Sequence, residues 1–443
     1  MRITNKRYPA KNNYSGRRSS PGHRNAPPPG PQNDWLKPMM SALSAIMAER
    51  TYADRAVEKT LRANKDWNDD KRLFFSETVY DIVRTWRLLC EALDEKNYLD
   101  EKICSDERFL RVLIGAWHML RNKAVPEEIN IPADKIQKIQ KNFSQLKQTR
   151  AVRESIPDWL DALGEAELGA DWENTLHALN QPPRVFIRIN RLKTGKFPLM
   201  KKLLDERIIT DEVEGLEDAV VLRERKNIFR SEAFREGLFE VQDAASQLVT
   251  EFLEVQPGMR VVDACAGAGG KTMHIASLMN NRGRIIAMDT EEWKLAELRK
   301  RAARSGAQNI ETRLVDSTKV LKRMKESAER LLLDVPCSGL GVLRRNPDAK
   351  WKVSPEMLER VKKIQREILE SYSRLCAPGG LMVYSTCSIL PSEGEEQILA
   401  FLDKHSSTFE LIDEKRVSPE TGFDGFYMAK LRRRENPATT PEE

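Results

Sequence analysis

From residue 237 onward, short apolar runs that are typical of buried strands alternate with longer amphipathic stretches that are typical of helices. Strands are predicted at 259–264, 284–289, 310–315, 330–334 and 380–386. Helices are predicted at 241–254, 271–280, 291–305, 355–376 and 392–403. Regular alternation with short connections predicts an α/β fold, with a doubly wound, Rossmann-like parallel sheet that carries helices on both faces.

Each predicted strand of this sheet carries an acidic or a thiol-bearing residue at its carboxyl end or just beyond it. These residues are Asp263 and Cys265, Asp289, Asp316, Asp334 and Cys337, and Cys387. Ligands of doubly wound sheets bind beyond the carboxyl ends of the strands. The side chains are therefore expected to line one pocket, in which the thiols of Cys337 and Cys387 converge.

A glycine-rich turn, Gly267-Ala-Gly-Gly270, follows the first predicted strand. Glycine lets the backbone pass close to a ligand, but Thr272 stands where a dinucleotide fingerprint has its third glycine. Asp289 suits ribose hydroxyls, and Asp316 suits an adenine amino group. Because no phosphate ligands are clustered here, a nucleoside cofactor such as S-adenosylmethionine fits better than NAD.

Two thiols in one pocket favour covalent chemistry at an electron-poor ring carbon. A thiolate that adds to C6 of a pyrimidine makes C5 electron-rich enough to take a methyl group. The ring must also be activated near N3. Asp334 is the candidate for this step, since its carboxyl group comes three residues before Cys337. The residues therefore predict a cysteine-dependent, cofactor-using transferase.

The remaining cysteines, Cys90, Cys104 and Cys376, are interpreted as buried small hydrophobic residues. The six cysteines of the chain lack the spacing of a disulfide framework or of a zinc site, so no metal is expected. No apolar run approaches the length of a membrane span, and the N-terminus has no secretory apolar region. The sequence therefore predicts a cytoplasmic protein with no membrane partner.

Two further modules and a basic arm are predicted upstream of the α/β domain. Residues 1–34 are expected to be a disordered, Pro-rich arm, with seven Lys and Arg and no acidic residue in the first 33 positions of a chain whose net charge is +6. Such an arm attracts phosphate backbones, although a solubilising tail is the alternative. Residues 35–150 are predicted to be a helical domain, and 151–236 a small α+β module with a half-buried strand at 182–190. The α/β domain then covers 237–433, and 434–443 form a tail.

The segment 237–433 resembles the Nol/Nop/Sun family of RNA 5-methylcytosine methyltransferases, which use S-adenosylmethionine. The resemblance is carried by Phe239-Glu-Val-Gln-Asp243, Asp263-Ala-Cys-Ala-Gly-Ala-Gly-Gly-Lys-Thr272, Asp334-Val-Pro-Cys-Ser-Gly339, Arg344-Arg-Asn-Pro-Asp348 and Tyr384-Ser-Thr-Cys-Ser388. It implies that Cys387 is the nucleophile and that Cys337 helps to release the methylated base. The cofactor-binding positions that it implies are Cys265, Ala266, Gly267, Ala268, Gly269, Gly270, Lys271, Asp289, Asp316 and Asp334, the last of which also faces the target base.

Two short segments depart from the family pattern. Gly267 and Ala268 stand in a turn that in the family often contains Ala-Pro, and Glu393-Gly-Glu395 stands where the family often has Glu-Asn-Glu. The first change keeps the chemistry of the turn, and the second affects only a secondary marker. Cofactor binding is therefore still expected.

The upstream modules resemble those of the bacterial, Fmu-type small-subunit rRNA enzymes. Residues 183–190 are similar to the first strand of an RRM-like module, and Phe75-Ser-Glu-Thr-Val-Tyr80 with Arg84 and Trp86 is similar to a NusB-type bundle. The resemblance implies methylation of cytosine C5 in small-subunit rRNA, and we expect the protein to be a monomer. A tRNA cytosine-C5 methyltransferase and a non-catalytic RNA-binding ribosome-assembly factor remain alternatives, although the intact thiol pair argues against the second.

Overall fold

The structure is a computed structural model that describes residues 35–435. The predicted basic arm at 1–34 lies outside the described residues, as do residues 436–443 of the predicted tail. Within the described range, no helix is long and apolar enough to cross a membrane.

The N-terminal part of the described chain is a bundle of helices. Its helices are α1 (Leu36–Met47), α2 (Ala53–Ala63), α3 (Asp69–Arg84), α4 (Trp86–Ala92), α5 (Glu101–Ser105), α6 (Glu107–Leu120), α7 (Ala133–Leu146) and α8 (Arg150–Arg153). Asn68 and Asp106 cap α3 and α6 by accepting hydrogen bonds from free backbone N–H groups. Val79, Ile82 and Trp86, which recur at helical spacing, are fully buried and form part of the core of the bundle.

A small module with an antiparallel sheet follows the bundle. Its elements are α9 (Asp158–Leu168), α10 (Trp172–Leu179), β1 (Phe186–Ile189), α11 (Lys196–Asp205), β2 (Thr210–Val213), β3 (Leu216–Leu222), α12 (Glu232–Arg235) and β4 (Phe239–Val241). The strands lie in the order β2–β3–β1–β4. Strand β4 therefore pairs with β1 although it lies after residue 236, which is the end that we propose for this module.

The prediction that the strand at 182–190 is half-buried was wrong. All four residues of β1 are buried, including Arg188, which is only 2% exposed. Its guanidinium donates hydrogen bonds to the side chain of Gln242 and to the carbonyl oxygen of Gly270, the latter at 2.6 Å. Burial lowers the pKa of Arg188 to about 10. The guanidinium can be buried on the second face of the strand because hydrogen-bond acceptors lie beside it there.

The C-terminal half of the chain forms a sheet of seven strands. Its elements are α13 (Ala244–Phe252), β5 (Arg260–Asp263), α14 (Gly270–Leu278), β6 (Arg284–Asp289), α15 (Glu292–Ser305), β7 (Ile310–Leu314), α16 (Thr318–Arg323), β8 (Ala328–Asp334), α17 (Ala349–Lys352), α18 (Pro355–Tyr372), β9 (Cys376–Thr386), α19 (Glu395–His405), β10 (Phe409–Val417) and β11 (Phe426–Arg433). The strand order is β10–β11–β9–β8–β5–β6–β7. The five predicted strands, β5 to β9, are parallel to one another, which confirms the predicted α/β fold.

Two details of this sheet differ from the prediction. Strands β10 and β11 were not predicted, and they form an antiparallel extension beside β9. The helix predicted to end at residue 376 ends instead at Tyr372, and Cys376 is the first residue of β9. Cys376 is fully buried, as are Cys90 and Cys104, so the interpretation of these three cysteines as core residues is confirmed.

The connection between β8 and α18 joins the sheet to the helical bundle. Trp351 of α17 is buried in the apolar core of the bundle, and its indole N–H donates to the carbonyl oxygen of Val83 at 2.9 Å. The ammonium of the buried Lys350 donates to the carbonyl oxygen of Arg84 at 2.7 Å. The same connection contains Cys337 near its start, so one segment links the predicted site to the bundle.

Candidate active site

The carboxyl ends of β8 and β9, two neighbouring parallel strands, bring two thiols into contact. Cys337 follows β8 and Cys387 follows β9, and their Sγ atoms are 3.1 Å apart. Both side chains are partly buried. The contact with Cys387, together with burial, raises the pKa of the Cys337 thiol well above its usual 9.0. The predicted convergence of these two residues is thus present in the structure.

Asp334, at the end of β8, is held by two donors. Its Oδ2 atom accepts a hydrogen bond from the ammonium of Lys271 at 2.6 Å, and its Oδ1 atom accepts one from the Ser385 hydroxyl at 2.9 Å. The ammonium of Lys271 also lies 5.2 Å from the centre of the Phe426 ring. The strand ends that carry the thiols therefore also carry a carboxylate, which is paired with an ammonium from the first turn of α14.

Sequence reasoning did not assign a role to Ser385 or Phe426. Ser385 belongs to the tetrad that contains Cys387, so its position two residues before the thiol was a usable signal. Phe426 begins β11, a strand that was not predicted, and its contact with Lys271 depends on the antiparallel pairing of β11 with β9. No local sequence pattern indicates that contact.

The glycine-rich turn after β5 forms an open cradle in front of α14. Gly267 and Gly269 both have positive φ, at 54° and 85°, a conformation that favours glycine. A Cβ atom on Gly267 would have no atom of the described residues within 4 Å, whereas one on Gly269 would lie 2.5 Å from Leu298. The second glycine is required by the packing of the turn on α15, and the first leaves space for a ligand.

The carboxylate of Asp289 closes the cradle from the end of β6. It accepts hydrogen bonds from the backbone N–H groups of Gly267 and Glu291, each at 2.9 Å. Behind the turn, the carbonyl oxygens of Ala268 and Gly270 are held by Arg301 at 2.9 Å and by Arg188 at 2.6 Å. These contacts fix the turn rigidly.

Asp263 lies buried beneath the turn. Its Oδ2 atom accepts a hydrogen bond from the Thr272 hydroxyl at 2.7 Å, while its buried Oδ1 atom has no partner among the described residues. Burial raises the pKa of Asp263 to about 7. An unpaired buried acceptor beside an open glycine cradle fits a bound polar ligand such as a nucleoside.

The other residues that were predicted to bind the cofactor differ in their burial and in their contacts with the turn. Ala266 lies in the turn, where its N–H donates to the carbonyl oxygen of Met288 at 2.8 Å. Cys265 is partly buried beside it, and burial raises the pKa of its thiol well above the usual 9.0. Asp316 follows the end of β7, is exposed, and accepts a hydrogen bond from Ser317 at 3.0 Å. The structure thus assembles the cradle without a contact from Asp316.

No group of three or more His, Cys, Asp or Glu side chains in residues 35–435 is arranged to hold a metal ion. The groups that the described residues bring together at this site are the two thiols, the pair formed by Lys271 and Asp334, and the cradle. Such an arrangement can hold a nucleoside cofactor next to a nucleophilic thiol.

Comparison with protein families gives two matches. Residues 250–432 match the family described as 16S rRNA methyltransferase RsmB/F, and residues 156–229 match a ferredoxin-like domain described as RsmF/B-like. A probable ribosomal RNA small subunit methyltransferase B from Synechocystis is 33% identical, over 88% of this chain and 97% of the relative.

Solved structures share the fold. The crystal structure of PH0851 aligns with a TM-score of 0.73 and 24% identity, over 90% of this chain and 99% of its own. NSun6 from Pyrococcus horikoshii, solved with SFG, aligns with a TM-score of 0.58 and 20% identity, over 63% of this chain and 99% of its own. At these identities, the likeness shows a shared fold and nothing more.

Proposed function

Because the chain belongs to the RsmB/F family of 16S rRNA methyltransferases, we propose that it methylates C5 of a cytosine in small-subunit rRNA through a covalent adduct between Cys387 and C6. The family membership makes the chain an S-adenosylmethionine-dependent methyltransferase that acts on RNA. The observation that carries the finer proposal is the contact between the Cys337 and Cys387 thiols at 3.1 Å.

The cradle supplies the cofactor site in this proposal. The open space at Gly267 and the unpaired oxygen of Asp263 accommodate a nucleoside, and Asp289 is available to ribose hydroxyls. We assign Cys265, Ala266, Ala268, Gly269, Gly270, Lys271 and Asp334 to the same site. Asp316 is assigned to the adenine edge. When bound, S-adenosylmethionine supplies the methyl group.

The two thiols act in sequence on the target base. The thiol of Cys387 gives up its proton as its sulfur forms a bond to C6, the proton passes through the carboxyl group of Asp334 to N3, and the electrons of the C5–C6 double bond become available at C5. Lys271 and Ser385 fix the orientation of that carboxyl group. After C5 has taken the methyl group, its remaining proton passes to water and the C5–C6 double bond re-forms. The bond between Cys387 and C6 breaks with its electrons on the sulfur, which takes back the proton from N3. Cys337 assists this release, and its thiol lies next to the breaking bond.

We propose that the protein acts as a cytoplasmic monomer. Its parts are a basic arm at 1–34, an RNA-binding helical domain at 35–150, an RRM-like module at 151–236, the methyltransferase domain at 237–433 and a tail at 434–443. Binding of RNA by the upstream parts accounts for modules that a small-molecule methyltransferase does not need.

Bisulfite sequencing of total RNA from cells with and without this gene tests the reaction and the substrate together. We expect one cytosine of small-subunit rRNA to lose its methyl mark. Loss of a mark in tRNA alone would overturn the rRNA substrate and keep the chemistry. If no cytosine changes, the C5 reaction is wrong and a non-catalytic assembly role gains support.

Variants of the two cysteines test the proposed roles of the thiols. Cys387→Ala should abolish both methylation and any covalent adduct with RNA, because the nucleophile is missing. Cys337→Ala should accumulate a protein–RNA adduct that survives a denaturing gel, because release is impaired. The control is Cys90→Ala, which removes a buried bundle cysteine and should leave the trapped fraction unchanged. A Cys387→Ala enzyme with full turnover would contradict the nucleophile assignment.

A further inference from the structure

The two cysteine loops have the same local sequence, Cys-Ser-x-Leu. It occurs at Cys337-Ser-Gly-Leu340 and again at Cys387-Ser-Ile-Leu390. In each loop the serine hydroxyl oxygen accepts a hydrogen bond from the N–H of the leucine, at 3.3 Å in the first loop and 3.2 Å in the second. Each cysteine is therefore followed by a serine whose hydroxyl oxygen is fixed by a turn. The proton of that hydroxyl is available for a second hydrogen bond.

Both serine hydroxyls donate to one carboxylate, that of Glu393. Ser338 and Ser388 donate to its Oε2 atom, and their own hydroxyl oxygens are 3.3 Å apart. The Oε1 atom accepts from the backbone N–H of Ser338 at 2.8 Å and from the side-chain amide of Gln365 at 3.0 Å. Glu393 thus contacts both loops at the residue next to each cysteine.

Glu393 lies in a buried environment in which its carboxyl group depends on these contacts. Glu393, Ser388 and Gln365 are each 0% exposed, and no Lys, Arg or His among the described residues forms an ion pair with Glu393. A buried carboxylate without a cation is stable only when neutral donors satisfy its oxygens. Hydrogen bonds to an ionised acceptor are shorter and stronger than neutral ones. The two loops therefore supply the hydrogen-bond donors that the buried carboxylate requires, and the carboxylate in turn holds the two loops together.

We propose that Glu393 is a positioning residue that fixes the distance between the thiols of Cys337 and Cys387 by clamping the two Cys-Ser-x-Leu loops. The inference rests on the proposed function only where it concerns turnover. Two thiols that act in sequence on one base must be held within a narrow range of positions, because a displacement of about 1 Å can cost about 100-fold in rate.

Thiol–disulfide exchange reports how closely the two thiols are held together. It requires neither RNA nor cofactor. In a glutathione buffer, one glutathione disulfide is reduced to two glutathione thiols while Cys337 and Cys387 lose two protons and join as a disulfide. The equilibrium constant reports the effective concentration of one thiol at the other. It is determined by mass spectrometry of the peptides that contain the two cysteines, with Cys337→Ala as the background.

Glu393→Gln should lower this equilibrium constant at least tenfold. Glutamine keeps one acceptor oxygen, but its NH₂ group faces either the two serine hydroxyls or the two N–H donors. The turnover number for RNA should fall at least tenfold, while KM for RNA and for S-adenosylmethionine stays within twofold. Ser388→Ala removes one arm of the clamp, keeps the carboxylate, and should lower the same two quantities at least threefold. If Glu393→Gln does not fold, Ser388→Ala decides.

Glu396→Gln is the matched control. Glu396 is exposed in the first turn of α19, and the change removes the same charge three residues away. It should leave the equilibrium constant and turnover within twofold of the wild-type values. The proposal is overturned if Glu393→Gln or Ser388→Ala also stays within twofold, or if turnover falls while the equilibrium constant does not. Because the exchange requires no methylation, its outcome stands even if the reaction at cytosine C5 proves wrong.

Discussion

Asp263 couples the stability of the fold to pH. Burial raises its pKa to about 7, above the usual 3.8, so between these values the folded protein holds a proton that the unfolded chain has lost. The stabilisation is complete below about pH 4 and is lost as the pH rises through 7. Each pH unit in that window then changes the free energy of unfolding by up to about 1.4 kcal/mol.

Asp263→Asn should remove this dependence, because asparagine does not titrate and its oxygen still accepts from Thr272. Urea unfolding of both proteins between pH 4 and 8, without cofactor, is the measurement. The free energy of unfolding of the variant relative to the wild type should rise with pH across this range. Asp424, whose pKa is raised to about 6 by burial, is present in both proteins and cancels. Parallel stability curves would contradict the prediction.

At the residue scale, the sequence is informative wherever a side chain follows an apolar strand. Cys337 and Cys387 could be predicted to meet because each ends such a strand in one parallel sheet. Glu393 could not, since a charged residue is normally exposed. Its burial depends on two serines that lie 50 residues apart in the chain and meet only after the sheet forms. A position set by folded contacts leaves no local signal.

At the element scale, three segments approach at Gly341 more closely than a side chain allows. Its N–H donates to the carbonyl oxygen of Cys387 at 2.9 Å, and its own carbonyl oxygen accepts from Gly425 at 2.8 Å. A Cβ atom on Gly341 would lie 2.1 Å from the oxygen of Gly425 and 2.7 Å from that of Cys387. All of these are backbone atoms, so the segments themselves must separate.

Gly341→Ala should therefore displace the Cys387 loop. We expect methyl transfer to fall at least tenfold and the free energy of unfolding to fall by about 1–3 kcal/mol. Gly195→Ala is the matched control, because a Cβ there meets its nearest atom at 3.7 Å, an ordinary contact. Single-turnover methylation and urea unfolding of both variants are the measurements. Equal losses of methyl transfer and of stability in the two variants would contradict the prediction. They would show that the close backbone contacts of Gly341 are not the reason for its loss.

The elements that could be predicted are those with an uninterrupted apolar run or a helical period. Strand β10 (Phe409–Val417) was missed because it lies at the edge of the sheet and most of its residues are charged. The charges are compatible with an edge position, where one side of a strand faces solvent. Its pairing with β11 specifies the strand, and that pairing is invisible in either segment alone.

At the scale of the whole molecule, the bundle and the sheet share a core. The short helix α17 belongs to the sheet domain in sequence, yet Trp351 packs among the apolar side chains of the bundle and its ring lies 5.8 Å from that of Tyr98. The ammonium of Lys350 is buried between the carbonyl oxygens of Arg84 and Glu154. The sequence did not predict this insertion, because the segment around Trp351 is short and strongly polar.

Trp351→Ala tests whether this insertion holds the molecule together. The side chain is 5% exposed, so its removal leaves a cavity and an unpaired carbonyl oxygen at Val83, and the free energy of unfolding should fall by about 3–5 kcal/mol. Trp293→Ala is the control, because Trp293 is 62% exposed and its loss should cost less than about 0.5 kcal/mol. Urea unfolding followed by circular dichroism measures both. If the two variants lose the same stability, the bundle does not depend on α17, and the contact between the two parts contributes little to the fold.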